Sequence, residues 1–185
     1  MLNLQAPAHN ISATETFSLS LDPNPSFESV ARICKIFGNA LKMVKISGAL
    51  TNSVFRVYLQ DKIILLRIYG VDSETFIDRA FELNCFMRMS ELGLGPKCMA
   101  TFTNGRFEEY LNSETLNSKS IRSESLAIAE ALVHLHNVSY DSPIMLWDRL
   151  FKWYHLALNS VDQLEKNGIH IFQDLDLQSL GKLEI

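Results

Sequence analysis

The sequence predicts an α+β fold, in which a small antiparallel sheet with one inserted helix is followed by helices alone. The first observation is a pair of β-type runs, Val54–Leu59 and Lys62–Tyr69, which only Gln60 and Asp61 separate. Such a short connection predicts antiparallel neighbours. The second observation is that segments with helical spacing dominate the chain beyond Leu111. The order of elements therefore predicts a sheet-bearing region followed by a helical region.

One helix and one short strand are predicted before this strand pair. Ser26 suits the cap of a helix whose apolar residues recur at helical spacing from Phe27 to Phe37, and Gly38 can close that helix. A strand is predicted at Val44–Ile46. The residues before the helix, Met1–Pro25, are polar and lack a period, which predicts a disordered leader.

The inserted helix is predicted within residues 72–93. Asp72 or Ser73 can cap it, and Gly93 can end it. Its apolar stripe would consist of Phe76, Ala80, Leu83 and Met87. Asp78 is expected to be solvated.

A hairpin and two helices complete the prediction. The strands Cys98–Phe102 and Phe107–Leu111 flank a tight turn at Asn104-Gly105. Beyond a polar linker, the segments Ser123–Val138 and Ser142–Leu164 carry apolar residues at helical spacing.

Composition narrows the class of protein. The 185 residues are 47% hydrophobic and 21% charged, with a net charge of −4, as in a soluble globular protein. Such a charge does not favour binding to nucleic acid or to an anionic membrane surface. No apolar run approaches the roughly 20 residues of a membrane helix. The three cysteines form no C-x-x-C pair, and the first 29 residues contain no Lys or Arg, so a cytoplasmic location is expected.

Four segments in chain order carry a resemblance to a known family. They read "GALTNSVFRV", "ILLRIYG", "FIDRAFELNCFMRMSELGLGPKCMATFTNGRFEEYL" and "LWDRLFKWYHLA". Together they resemble the phosphate loop, the strand arginine, the helix with its "GLGPK" turn and hinge strand, and the helix after the hinge of choline/ethanolamine kinases. The resemblance covers Phe37 to Ile185. The spacing "IDR…EL…F" is closer to ethanolamine kinases than to choline kinases.

The resemblance implies a protein-kinase-like fold. Residues 26–111 would form the small antiparallel-sheet lobe, with the hinge at its end. Residues 112–185 would be the first helices of an incomplete helical lobe.

The segment from Ser47 to Val54 has two readings. Taken alone, it predicts an ordinary hairpin turn. The resemblance implies that Gly48, Ala49, Thr51 and Asn52 form a loop whose backbone N–H groups approach ATP phosphates. Ala49 stands where the family usually has a second glycine.

Arg67 lies within an apolar strand, where an unpaired charge would be costly. The resemblance implies that it contacts the phosphates of ATP and that Glu82 is its ion-pair partner; a purely structural ion pair is the alternative. Glu109 and Leu111 match the hinge, whose backbone would meet the adenine edge.

The resemblance also implies residues that this sequence does not contain. Phosphoryl transfer in the family uses an H-x-D…N loop and a D-x-E motif, and no His here is followed two residues later by Asp. No catalytic residue and no ligand for Mg²⁺ is therefore assigned. We expect a chain truncated before the catalytic loop, either an incomplete sequence or a real short product.

The function implied is the ATP-dependent phosphorylation of ethanolamine in phospholipid-headgroup synthesis. Choline is the alternative substrate. A truncated, non-catalytic chain that regulates a full-length kinase is the second alternative, and a homodimer is a further possible assembly. Another member of the aminoglycoside-phosphotransferase-like group is a less favoured interpretation.

Overall fold

A computed structural model describes residues 14–46, 51–71, 73–139 and 145–167. The strands are β1 (Glu15–Phe17), β2 (Ala40–Ile46), β3 (Asn52–Leu59), β4 (Ile63–Tyr69), β5 (Cys98–Phe102) and β6 (Gly105–Glu109). The helices are α1 (Phe27–Cys34), α2 (Arg79–Glu91), α3 (Ser120–Ser123), α4 (Ser125–His136) and α5 (Leu146–Lys166), and Ser73–Thr75 forms a 3₁₀ turn. The predicted α+β class is confirmed, and the predicted elements follow one another in the predicted order, whereas β1 and α3 were not predicted.

The strands form one six-stranded sheet in the order β1-β5-β6-β4-β3-β2. The predicted meander and hairpin are antiparallel, with Arg56 opposite Leu65 in β3–β4 and Thr101 opposite Arg106 in β5–β6. The sheet is nevertheless mixed, because β1 pairs with β5 in parallel. The prediction of a purely antiparallel sheet is therefore wrong at this edge.

The prediction of a disordered leader is wrong for residues 14–25, whereas residues 1–13 lie outside the described part of the chain. Leu21 is buried in the core, and its backbone N–H and C=O bind the side-chain amide of Asn104 at 2.9 and 2.7 Å. The polar sequence without a period gave no sign of β1, because this strand pairs with β5, for example Thr16 with Thr101, at a separation of 85 residues.

The hydrophobic core lies on one face of the sheet. Ile64, Leu66 and Ile68 alternate towards it along β4, and Phe107 joins them from β6. Helix α1 covers this face with Val30 and Cys34 among other residues, after its predicted cap, Ser26, accepts a hydrogen bond from the N–H of Ser29. The same alternation directs Arg67, Arg106 and Glu108 to the opposite face, called here the charged face.

The helix inserted between β4 and β5 departs from the prediction. Helix α2 begins at Arg79, and the side chain of Asp78 caps it by accepting from the N–H of Phe81 at 3.0 Å. Phe76 lies before the helix and is 60% exposed, and no residue of α2 is buried. The predicted apolar stripe is therefore wrong. Gly93, just beyond the helix, has a φ of 69°, as a residue that ends a helix can have.

The chain divides into two compact units, Met1–Leu135 and His136–Ile185. The first contains the sheet and α1 to α3, together with most of α4, whose Leu126 is 71% exposed. In the second, α5 is described from Leu146 to Lys166, and the predicted cap Ser142 lies outside the described residues. The predicted lobe boundary after residue 111 stays a prediction. None of the described helices is both long and apolar enough to span a membrane.

Replacing a core leucine should cost far more stability than replacing an exposed one on the same sheet. We expect Leu66→Ala, at a fully buried site, to lower the free energy of unfolding by about 2–5 kcal/mol, because it leaves a cavity. Leu41→Ala makes the same chemical change at a position that is 65% exposed and should cost about 0.5 kcal/mol or less. Urea unfolding of the two variants measures the difference, and equal losses would contradict the placement of the core.

Candidate functional site

Five charged side chains meet on the charged face of the sheet. Arg67 on β4 lies opposite Arg106 on β6, and Glu108 follows Arg106 on the same face. Helix α2 adds Arg79 and Glu82. These five residues are called the charged cluster below.

Glu108 is the carboxylate at the centre of the charged cluster. Its side chain is 3% exposed, and its Oε1 accepts from the Nε of Arg67 at 2.6 Å and from the Nε of Arg106 at 2.8 Å. Its Oε2 accepts from Nη2 of Arg67 at 3.3 Å. Two arginines therefore compensate one buried carboxylate, which would otherwise be very costly to bury.

Arg106 joins the sheet to helix α2. Its Nη1 donates to the hydroxyl of Tyr69 at 3.0 Å and to Oε1 of Glu82 at 3.2 Å. Its guanidinium also lies over the ring of Phe86, 4.1 Å from the ring centroid. The first turn and the middle of α2 are thus held to the sheet by polar and cation–π contacts rather than by buried apolar residues.

Arg79 extends these contacts to the start of β3. Its guanidinium pairs with Oε2 of Glu82 at 2.5 Å and lies 4.3 Å from the ring centroid of Tyr69. It also donates to the hydroxyl of Ser73 and, at 3.4 Å, to the side-chain oxygen of Asn52. The first helical residue of α2 therefore contacts the strand that leaves the predicted phosphate loop.

The cluster carries an excess of positive charge, since three guanidinium groups face two carboxylates. Burial alone would raise the pKa of Glu82, but hydrogen bonds and charge from Arg79 and Arg106 outweigh it and hold that pKa below its usual value. Burial alone would lower the pKa of Arg106, but the charge of Glu108 and contacts with Tyr69 and Glu82 raise it. Both groups are therefore held in their charged forms.

Of the predicted loop residues, the structure describes Thr51 and Asn52, whereas Gly48 and Ala49 lie outside the described residues. The carbonyl of Thr51 accepts from the N–H of Gly70 at 2.8 Å. A Cβ at Gly70 would overlap that carbonyl, so the approach requires glycine. This contact holds the C-terminal end of the predicted loop beside Gly70, which follows Arg67 by three residues in the sequence.

The predicted hinge residues lie at the far end of β6. The N–H of Glu109 donates to the carbonyl of Lys97 at 2.9 Å, and its carboxylate accepts from the N–H of Lys97 at 3.2 Å. Leu111 is exposed, and its carbonyl accepts from the hydroxyl of Ser113 at 3.3 Å. Beside them lies a cavity of about 590 Å³ whose lining includes Ile63, Met99, Glu109 and Tyr110.

The structure brings Arg67, Glu82 and Asn52 into one connected group, but the predicted ion pair between Arg67 and Glu82 is wrong. Arg67 pairs with Glu108, and Glu82 pairs with Arg79 and Arg106. The reason is proximity across the sheet, because Glu108 lies opposite Leu65 on the strand beside Arg67. The alternation in "GRFEEY", where Arg106 and Glu108 flank an apolar residue, was the signal that could have identified this partner.

The charge of Glu82 should make the protein less stable in acid. Because its pKa is lowered in the folded state, its contribution is present above its ordinary pKa of 4.5 and is lost as the pH falls through the folded value. We expect wild type to be more stable than Glu82→Gln at about pH 7, and this advantage to shrink below pH 4.5. Urea unfolding across this pH range measures it.

Glu91→Gln is the matched control, since Glu91 lies on the same helix in an exposed pair with Arg88. Its effect should stay within about 0.5 kcal/mol. An advantage of wild type over Glu82→Gln that is unchanged between neutral and acid pH would contradict the assignment.

Comparison with known proteins places these features in a family. The model of the choline/ethanolamine kinase family matches residues 43–182. A choline kinase of Saccharomyces cerevisiae is 37% identical over 133 residues, which are 66% of this chain and 23% of that protein. An ethanolamine kinase of the same yeast is 31% identical over 152 residues, which are 76% of this chain and 28% of that protein. The chain thus spans about a quarter of the length of these two relatives.

Solved structures support the fold. A choline kinase of Cryptosporidium parvum superposes with a TM-score of 0.60 at 24% identity, covering 75% of this chain and 44% of that one. An ethanolamine kinase of Plasmodium vivax gives 0.59 at 24% identity, covering 76% and 44%. The predicted protein-kinase-like fold is therefore confirmed. Because the family model matches more than half of the sequence, this chain belongs to the choline/ethanolamine kinase family.

Proposed function

We propose that this chain binds the phosphates of ATP through Arg67 and serves the transfer of the γ-phosphate to an amino alcohol. The observation that carries the proposal is that the Arg67 guanidinium is held in one orientation and is still partly exposed. It is fixed through Nε and Nη2, its side chain remains 26% exposed, and its cluster has an excess of positive charge. Such a group can bind phosphate oxygens without a further cost of ordering the side chain.

The reaction proposed is a displacement at phosphorus. The hydroxyl oxygen of the amino alcohol bonds to the γ-phosphorus, the bond to the bridging oxygen of ADP breaks, and the hydroxyl proton passes to a base. Arg67 contributes charge stabilisation on the nucleotide and no proton transfer. We assign no base among the described residues.

The remaining predicted residues are proposed as further nucleotide contacts. Gly48, Ala49, Thr51 and Asn52 would cover the phosphates, which is supported by the fixed position of Thr51 near the end of β4. The backbone of Glu109 and Leu111 would meet the adenine edge.

Mg²⁺ is a proposed cofactor of the whole activity. Within the described ranges, no group of three or more His, Cys, Asp or Glu side chains could hold a metal ion. No ligand for Mg²⁺ is therefore assigned among the described residues, and no step of the reaction is assigned to the ion here.

Ethanolamine and choline are the two candidate acceptors. The segment "IDR…EL…F", which begins at Ile77, resembles ethanolamine kinases more than choline kinases, and we therefore propose ethanolamine first. The higher identity of the yeast choline kinase, 37% against 31% for the ethanolamine kinase, favours choline as the second candidate. We infer a cytoplasmic setting for either reaction, which is supported by three cysteines without disulfides.

Removing the Arg67 guanidinium should weaken ATP binding. A hydrogen bond to a charged group contributes about 1.5–3 kcal/mol, so we expect Arg67→Ala to raise the Kd for ATP by roughly 10- to 100-fold. Titration of the 185-residue chain with ATP, followed by NMR, measures this even where binding is weak.

Arg88→Ala is the matched control, because Arg88 is exposed and pairs with Glu91 on the surface of α2. It should leave the Kd within about twofold. A Kd for Arg67→Ala that equals that of the control would overturn the assignment of Arg67. Transfer of labelled phosphate from ATP to ethanolamine or choline, compared as kcat/KM, decides the acceptor, and transfer to neither would reject catalysis by this chain.

A further inference from the structure

We infer that Glu108 is the residue that positions Arg67 for phosphate, and that this positioning does not depend on helix α2. The inference rests on the proposed function, since it concerns how the phosphate-binding arginine is held. The carboxylate that holds Arg67 then belongs to Glu108 in the sheet, and not to Glu82 on helix α2, as the resemblance implied.

The geometry of the Glu108 carboxylate fixes the guanidinium in two directions. Nε and Nη2 of Arg67 donate to the two oxygens of the carboxylate at 2.6 and 3.3 Å, which makes the ion pair bidentate. Glu108 cannot turn away towards water, because its side chain is 3% exposed and its Oε1 is also bound by Arg106. The plane and direction of the Arg67 guanidinium are therefore set by strand β6.

Donors remain on Arg67 after this pairing. Nη1 takes no part in the two hydrogen bonds to Glu108, and a quarter of the side chain is exposed. A guanidinium has more N–H groups than the carboxylate uses. The remaining N–H groups can therefore donate to phosphate oxygens while the two hydrogen bonds to Glu108 stay formed.

The contacts described above connect helix α2 to Arg67 indirectly, through Arg106 and Glu108. Glu82 contacts Arg106 and Arg79, and Arg106 in turn contacts Glu108. Helix α2 has no buried residue with which to fix its position on the sheet. A shift of α2 would change the contacts of Arg106 and leave the two hydrogen bonds between Arg67 and Glu108 in place.

The variants Glu108→Gln and Glu82→Gln test the inference, because each removes one negative charge near the phosphate site with little change of shape. If these carboxylates acted only through charge, both variants should bind ATP more tightly, since an anion would meet less repulsion. If Glu108 positions Arg67, Glu108→Gln should instead raise the Kd for ATP at least about fivefold. Loss of the fixed orientation of Arg67 then weakens binding more than loss of the negative charge strengthens it. Glu82→Gln should tighten binding slightly.

The nucleotide measurement uses ATP and inorganic tripolyphosphate, so that phosphate binding is separated from binding of the base. Both ligands should be weakened by Glu108→Gln. Equal or tighter binding by Glu108→Gln, or a loss in Glu82→Gln as large as that in Glu108→Gln, overturns the inference. Glu91→Gln, on the exposed side of α2, is the control for loss of a carboxylate at a distance.

A measurement without nucleotide separates this inference from the proposed function. In wild type, the Nε–H of Arg67 should give a side-chain NMR signal protected from exchange with water, since it donates to a buried carboxylate. That signal should be lost in Glu108→Gln and kept in Glu82→Gln. The reverse pattern overturns the positioning role even if ATP binds. A wild type that binds neither ATP nor tripolyphosphate overturns the proposed function, while the NMR signal still decides which carboxylate holds Arg67.

Circular dichroism first establishes that each variant is folded. If Glu108→Gln does not fold, Glu108→Asp takes its place, because it keeps the charge beside Arg106 and shortens the reach to Arg67. It should also weaken tripolyphosphate binding and expose the Nε–H of Arg67, and unchanged values for both would overturn the inference.

Discussion

The buried carboxylate of Glu108 is the constraint on which the charged face depends. A carboxylate that is 3% exposed must be compensated by positive charge and by hydrogen bonds at both oxygens. Arg67 and Arg106 supply these from two neighbouring strands. Removing either arginine would leave the carboxylate undercompensated, so neither can be treated as an independent surface charge.

The sheet register that brings these groups together is fixed by packing at the β5–β6 turn. Gly105 lies opposite Ile68, and a Cβ at Gly105 would overlap the carbonyl of Arg67 and the ring of Phe102. Glycine therefore lets β6 lie against β4 at this point, with Arg106 opposite Arg67. A slip of one residue would turn Arg106 and Glu108 towards the core. The position of the charged cluster thus follows from the same register that buries Phe107.

The sequence was sufficient for the parts of the fold that local patterns determine. The pairing of β3 with β4, the alternation along β3 and the cap at Ser26 all depend on a few neighbouring residues, and each is found where it was predicted. The turn predicted at Asn104-Gly105 lies one residue earlier, because Gly105 already pairs with Phe102 and begins β6. Strand β1 was missed because its contacts, such as that of Thr16 with Thr101, join segments that lie far apart in the sequence. The apolar stripe of α2 was wrong because polar and cation–π contacts, not apolar burial, join that helix to the sheet.

The difference between local patterns and contacts of distant segments also explains why the sequence predicted that Arg67 has an ion-pair partner but not which residue that partner is. Arg67 could be identified because a charge in an apolar strand needs a partner, but the identity of that partner depends on which strand lies alongside. Pairing across β4 and β6 gives it Glu108, and the resemblance to a helix-based pair gave Glu82 instead. The charges then alternate from Arg67 through Glu108, Arg106 and Glu82 to Arg79, beginning and ending with a cation. Both ends are positive, so an anion that binds at Arg67, as proposed above, would continue the alternation at the end held by the sheet rather than by α2.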